Sequence, residues 1–278
     1  MVKMRKLNSK CKRGMLFTLG MTLLSFVVLS LAILVFHNAQ KSEILVSKLA
    51  VLDRVYELDT SIQQSLRDIF YLKSGISVNI TEDSIIFQES LPNPNKESFN
   101  ASMTSFKRFI ESNLSNVNIS IGSIVSQLPL TIQPNSIIYK HVDFGDKQIE
   151  VIPEQINFEG YSIQMIINKN VTSCSWDTES GSFTLSIIVT GPNGAECSGS
   201  QPIDPSEENE VNINNEDIEI NIESNVLSIS IDDDSTTADV QTTILTGNSE
   251  GYIEYDWPVV SISFADFGIS KQSKTRIR

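Results

Sequence analysis

The sequence predicts a mainly β fold, α+β overall. A transmembrane helix continues into an amphipathic stalk helix, followed by an antiparallel β-sandwich or jelly-roll-like ectodomain. Three observations carry this. Residues 15–36 (MLFTLGMTLLSFVVLSLAILVF) hold no charge, and a helix of that length rises about 33 Å, enough to cross a hydrocarbon core. Residues 41–73 lack Pro and Gly and repeat apolar side chains every three or four positions, the period of a helix face. Beyond residue 117 short alternating segments are separated by turn residues, the pattern of closely spaced strands.

The elements follow in chain order. Residues 1–14 carry Lys3, Arg5, Lys6, Lys10, Lys12 and Arg13 and no acid, a basic cytoplasmic tail. Only Lys41 and Lys48 closely follow the span, so the positive-inside rule predicts a cytoplasmic N-terminus and an extracellular C-terminal domain on a single-pass cell-membrane protein. A cleaved signal peptide would end a shorter apolar run at small residues. Val35-Phe36-His37-Asn38-Ala39 supplies no such site, so the anchor is expected to be retained. In the span, Thr18, Thr22, Ser25 and Ser30 can bond back to a carbonyl one turn earlier.

Residues 37–74 are expected to form the stalk helix, with a seam of Leu45, Leu49, Leu52, Val55, Leu58, Ile62, Leu66 and Ile69. This seam could pair with another copy or another surface protein, or pack on the chain's own β domain. Gly75 ends the helix. Residues 75–153 predict a membrane-proximal α+β region. It comprises a hairpin around Glu82-Asp83, a helix over residues 97–114 with Phe99, Met103, Phe106, Phe109 and Ile110 on one face, and short strands to about residue 152. A soft boundary falls near Glu154. Residues 154–270 predict an acidic β-sandwich-like domain in which 198–210 (SGSQPIDPSEENE) read as a polar loop. Residues 271–278 form a basic C-terminal tail, either frayed or docked on an acidic face of its own domain or of a neighbouring copy.

Charge narrows the function classes. Residues 171–270 contain nineteen Asp/Glu and no Lys or Arg. Such a stretch repels DNA, RNA and anionic lipid, so no nucleic-acid partner is expected. Cys174 and Cys197 flank an apparent pair of strands. An even count beyond a membrane fits one disulfide, with two buried free thiols as the alternative, and Cys11 stays free on the reducing side. Asn79, Asn100, Asn113, Asn118 and Asn170 head Asn-x-Ser/Thr triplets, candidate glycosylation sites in an exported chain.

The basic leader Lys12-Arg13-Gly14, the apolar helix opening Met15-Leu16-Phe17-Thr18-Leu19, the amphipathic extension through Phe70 and the β-rich head resemble type IV pilin-like proteins. The likeness is especially to archaeal membrane-anchored pilin-like proteins of unknown function. The resemblance covers about 60 residues and implies leader cleavage after Gly14 and a hydrophobic helix that packs with others into a filament core. Leu19 stands where pilins carry a glutamate.

Catalytic chemistry finds little support. His37 borders the span and His141 is the only other histidine. No His-Glu-x-x-His, Gly-x-Ser-x-Gly, Walker or dinucleotide glycine motif occurs. A Cys197–His141 nucleophile pair competes with the disulfide, and nothing selects two carboxylates for glycosidase work. The sharpest chemical candidate is a Ca²⁺ site built from Asp232, Asp233, Asp234, Glu207 and Glu208, since loop carboxylates suit that ion. A solvated acidic face is the alternative. The expectation is a non-enzymatic surface protein, pilin-like or an envelope-structural or adhesion module, without a cofactor unless calcium binds. The other reading is a sensing or accessory subunit of a membrane complex.

Overall fold

The computed structural model describes residues 8–113, 117–122, 128–133, 136–142, 147–154, 159–246 and 252–277. Its first element, α1 (Asn8–Lys73), is one uninterrupted helix. Residues 1–7 of the basic cytoplasmic tail, and the Phe144-Gly145-Asp146 triplet that the sequence offers as a turn signal, lie outside the described residues.

Residues 1–54 and 55–278 form two compact units. In the first, α1 is long and apolar enough to cross a membrane. Its large apolar side chains from Phe17 to Phe36 are all exposed. As the sequence suggests, Thr22 donates to the Thr18 and Leu19 carbonyls at 3.0 and 2.8 Å, and Ser25 to Met21 at 2.9 Å. These hydroxyls therefore bring no unsatisfied polar group to an apolar surrounding.

The second unit is the head, and the C-terminal part of α1 belongs to its core. Val55, Ile62, Leu66 and Phe70 are buried, stepping by seven, four and four along one helix face. The predicted seam therefore divides: its lower half packs on the chain's own domain, and Leu45, Leu49 and Leu52 stay exposed. Phe70, absent from the predicted seam, is fully buried. Gly75 ends α1 at φ +76°, where a Cβ would meet Asn95 Nδ2 at 2.7 Å and Asn93 Oδ1 at 2.9 Å. Asn93 donates to the Ser74 carbonyl at 2.7 Å, supplying a partner at the helix end, where carbonyls lack intrahelical donors.

Strands β1 (Ser77–Ile80) and β2 (Ser84–Leu91) form the expected hairpin. Helix α2 (Lys96–Asn113) buries Phe99 and Met103 and leaves Phe109 exposed. The remaining strands are β3 (Asn118–Ile121), β4 (Leu130–Gln133), β5 (Ile137–His141), β6 (Gln148–Pro153), β7 (Gly160–Ile167), β8 (Cys174–Asp177), β9 (Ser180–Thr190), β10 (Glu196–Ile203), β11 (Asn209–Ile213), β12 (Ile218–Glu223), β13 (Val226–Ile231), β14 (Ala238–Leu245), β15 (Tyr252–Phe264) and β16 (Ile269–Ile277).

They build two mostly antiparallel sheets. One runs β1-β2-β14-β7-β9-β10, and the other β16-β15-β4-β5-β6-β13-β12-β11-β8, with β3 also pairing β15. The inner faces meet in a sandwich-like core. Phe87 of β2 stacks on Tyr139 of β5 with ring centroids 3.8 Å apart and planes at 5°.

Two expectations need correction, and two more take a definite form. The boundary near Glu154 is not a break, because both sheets draw strands from either side of it: β2 pairs β14, and β6 pairs β13. Of the polar loop expected at 198–210, residues 204–208 are loop, 209–210 open β11, and 198–203 belong to strand β10. Its side chains are polar because it lies at a sheet edge, with Glu196, Ser198 and Ser200 exposed. Of the alternatives for the basic C-terminal tail, docking on its own domain holds, as the edge strand β16 paired with β15. One pair, β7–β9, is parallel; the chain makes the required crossover through β8, which lies in the other sheet.

Candidate functional site

Three features of the head combine charge, burial or concavity in ways that bear on function. The first fastens the chain's last strand to α1. Asp59 faces β16 from a nearly buried position on the helix. Lys271 Nζ lies 2.5 Å from its Oδ2 and 4.1 Å from the centre of the Tyr56 ring, and Ser273 donates to its other oxygen. Gln63 donates to Ser273 Oγ at 2.8 Å and Arg67 to the Arg276 carbonyl at 3.0 Å. Arg276 also reaches Glu254 at 3.2 Å. The basic residues at the chain's end thus dock on acids of their own domain. Lys and Arg along an edge strand also discourage uncontrolled pairing with another chain.

The second feature is a buried polar cluster between the sheets. Glu89 of β2 points inward, and the Tyr139 hydroxyl donates to it from β5. His141 Nε2 lies 2.7 Å from Glu89 Oε2, with both side chains fully buried. Alternation places all three on the sandwich interior: positions 85, 87, 89 and 91 of β2 are buried, as are 137, 139 and 141 of β5. Burial, with the Glu89 carboxylate adding to it, pushes the Tyr139 phenol well above its ordinary value. Burial alone raises Tyr161.

Both phenols keep their protons in the folded head at pH values where the unfolded chain, with tyrosine near about 10, releases them. The folded state then binds more protons than the unfolded one. Stability from these groups is intact below about pH 10 and falls above it by about 1.4 kcal/mol per pH unit for each tyrosine. Urea titrations between about pH 8 and about pH 11 check this. Unchanged stability at the alkaline end would contradict the buried phenols.

The third feature is an open groove of about 560 Å³ on the outer face of the six-stranded sheet. Register aligns Gln88, Gln241, Gln164 and Ile188 in one row across β2, β14, β7 and β9. Ser90, Asp239, Ile166 and Thr190 form the next. Gln88 donates to Gln241 at 2.6 Å, and Ser90 to Asp239 at 2.6 Å. Ile166 is 66% exposed amid this polar surface, so the face offers amides, a carboxylate and two aliphatic side chains to a ligand. No catalytic pair accompanies them among the described residues lining the groove.

No protein-family model, curated protein or solved structure matches this chain.

Cys174 and Cys197 are joined in a disulfide with Cα atoms 5.5 Å apart. It links β8, the last strand of one sheet, to β10, the last of the other, and it takes Cys197 away from any pairing with His141. Beside it Trp176 lies so close to Gly199 that a Cβ there would meet the indole at 2.6 Å. Sequence spacing found the cysteines but not this glycine, whose only signal is its place in an otherwise polar strand.

The proposed calcium ligands are not brought together. Asn225 donates to the Pro205 carbonyl, which sets the loop bearing Glu207 and Glu208 beside the β12–β13 turn. Asp232 donates to the Asp217 carbonyl at the opposite end of β12. Six residues of strand separate the two groups by about 20 Å. Asp233 instead meets Lys169 at 2.5 Å and accepts from Thr236 and Ser235 at 2.5 and 2.8 Å. That lysine first, then the two hydroxyls, holds its carboxyl well below the usual carboxylate range. Asp234 is fully exposed, 3.9 Å from Lys147. Among the described residues no group of three or more His, Cys, Asp or Glu side chains is arranged to hold a metal.

The loop around Glu207 is shaped by a residue the sequence reading passed over. Buried Asn209 donates to the Asp204 and Glu207 carbonyls at 2.7 and 2.8 Å and accepts from Glu179 N–H at 2.9 Å. Of the glycosylation candidates, Asn79, Asn113, Asn118 and Asn170 are exposed. Asn100 is half-buried in α2, with its Oδ1 turned inward and accepting no hydrogen bond. Gly14 lies within α1.

Proposed function

We propose that this chain is a non-enzymatic, membrane-anchored surface protein that displays its β head outside the cytoplasm, as a pilin-like, envelope-structural or adhesion module. The observation that carries the reading is the continuity of α1. One helix holds the apolar stretch and, at its C-terminal end, the side chains of Val55, Ile62, Leu66 and Phe70 that enter the head's core. The apolar stretch and the head's first core residues thus belong to one helical element. The clasp of β16 on Asp59 fastens the C-terminal part of that helix within the head.

The disulfide supports an oxidising compartment, and the positive charge before the span supports a cytoplasmic N-terminus. The groove on the six-stranded sheet gives the accessory-subunit reading its own support, as a surface on which a partner's extracytoplasmic segment could rest.

The test is protease added to intact cells, followed by detection of both chain ends. The head is expected to be degraded while a short N-terminal fragment stays with the membrane after alkaline carbonate washing. Full protection of the head in intact cells, with digestion only after lysis, would overturn the orientation. Release of the undigested chain by carbonate would overturn the anchor.

A further inference from the structure

Leu45, Leu49 and Leu52 are 62%, 61% and 39% exposed, on a length of α1 outside both the apolar stretch and the head. These residues continue a seven-residue pattern that two polar positions interrupt. Taking Leu49 as position a and Leu45 and Leu52 as d, the pattern runs back through Val35, Leu31, Val28 and Leu24. Within the apolar stretch Val28 and Val35 stand at a beside Leu24 and Leu31 at d, the combination that favours two parallel strands over three or four, and Leu49 takes the a position beyond it.

The flanks agree with the seam. The e positions within and just past the span, Thr18, Ser25, Ala32 and Ala39, are all small, which lets helix backbones approach closely in lipid. Above the span, Lys48 at g and Asp53 at e are five residues apart. In a parallel pair the g residue of one helix faces the e residue five positions on in the other, so each copy would set Lys48 against the other's Asp53. Asn38 and Ser42 occupy the seam positions at the edge of the apolar stretch. Polar groups there disfavour a slipped register, since a slip sets them against apolar partners.

We propose that two copies of this chain associate in parallel and in register along residues 24–53 of α1, through the seam ending in Leu45, Leu49 and Leu52 and the reciprocal Lys48–Asp53 pairs. This rests on the membrane-anchored reading, because anchoring in one bilayer aligns the two helices side by side. The seam lies wholly within the unit that precedes the head.

The test is cysteine crosslinking of the full chain in native membranes, with Cys11→Ser as background. Leu45→Cys, Leu49→Cys and Leu52→Cys are introduced singly, with Ser47→Cys and Ala50→Cys on the opposite face as controls. Oxidation is expected to give a product of twice the chain's mass, several-fold more from the seam positions than from the controls. Lys48→Glu is expected to lower the Leu49→Cys yield several-fold, and adding Asp53→Lys to restore it.

Equal yields on both faces, no crosslinked product, or a product of another mass would each overturn the dimer. So would a yield that Lys48→Glu leaves unchanged. Carbonate washing of the same membranes separates the two claims: a retained chain with no seam pattern refutes only the dimer, and a released chain refutes the anchor beneath it.

Discussion

Replacing His141 with leucine is expected to destabilise the head by about 3–5 kcal/mol. The change removes the imidazole that lies 2.7 Å from Glu89 Oε2 and leaves that carboxylate in an interior where both partners had no solvent exposure. Tyr139 still donates to the other oxygen, so one hydrogen bond remains while the loss of the imidazole goes uncompensated. The loss measures a buried carboxyl group left short of a partner rather than the net worth of the pair. The triple change Glu89→Leu, Tyr139→Phe and His141→Leu should therefore recover most of the stability. It removes every polar member at once and keeps the stack on Phe87. Chemical denaturation of the full chain in detergent, followed by tryptophan fluorescence, compares the three proteins. A His141→Leu chain within about 0.5 kcal/mol of the parent would show that the cluster does not hold the sheets together.

Opening the Cys174–Cys197 bridge is expected to cost about 3 kcal/mol on the chain-entropy argument for a loop of this length. The effect should concentrate at one edge of the sandwich. Among the described residues strand β8 pairs only with β11, and the bridge is its covalent tie to the opposite sheet. Trp176 sits on that strand against Gly199, so its emission reports the same edge directly. The double change Cys174→Ala and Cys197→Ala should lower the denaturation midpoint and make β8 the first strand to lose amide protection. If reductant leaves the midpoint and the exchange of β8 amides where they were, the bridge is not what fastens this edge. Alkylation of both thiols in the chain taken directly from membranes would show that the bridge does not form at all.

Much of the architecture was legible because it rests on local pattern. The uncharged stretch at 15–36 and the three-and-four spacing after it define α1, and alternation in residues 76–89 and 211–231 defines strands β1, β2, β11, β12 and β13. The cysteines were legible as a pair because few residues serve a disulfide and these two stand alone beyond the span. The candidate site was much less so. His141 was visible only as a rare residue, and Glu89 as one acid among many. Their meeting depends on β2 and β5 lying in opposite sheets with both side chains turned inward.

The sequence by itself determined the helix, the strand content, the charge asymmetry and the disulfide partners, since each follows from residue type at fixed local spacing. Tertiary structure alone decided the rest. It made an edge strand of the polar segment at 198–203, because exposure on an edge tolerates serine and glutamine where a central strand would not. It made β16 of the basic C-terminal residues, because Asp59 and Glu254, distant in sequence, lie where Lys271 and Arg276 can reach them. It parted the acids expected to share a calcium ion, because six residues of β12 stand between them. Pairing across such distances is set by which strands become neighbours, and no local period in the chain records that choice.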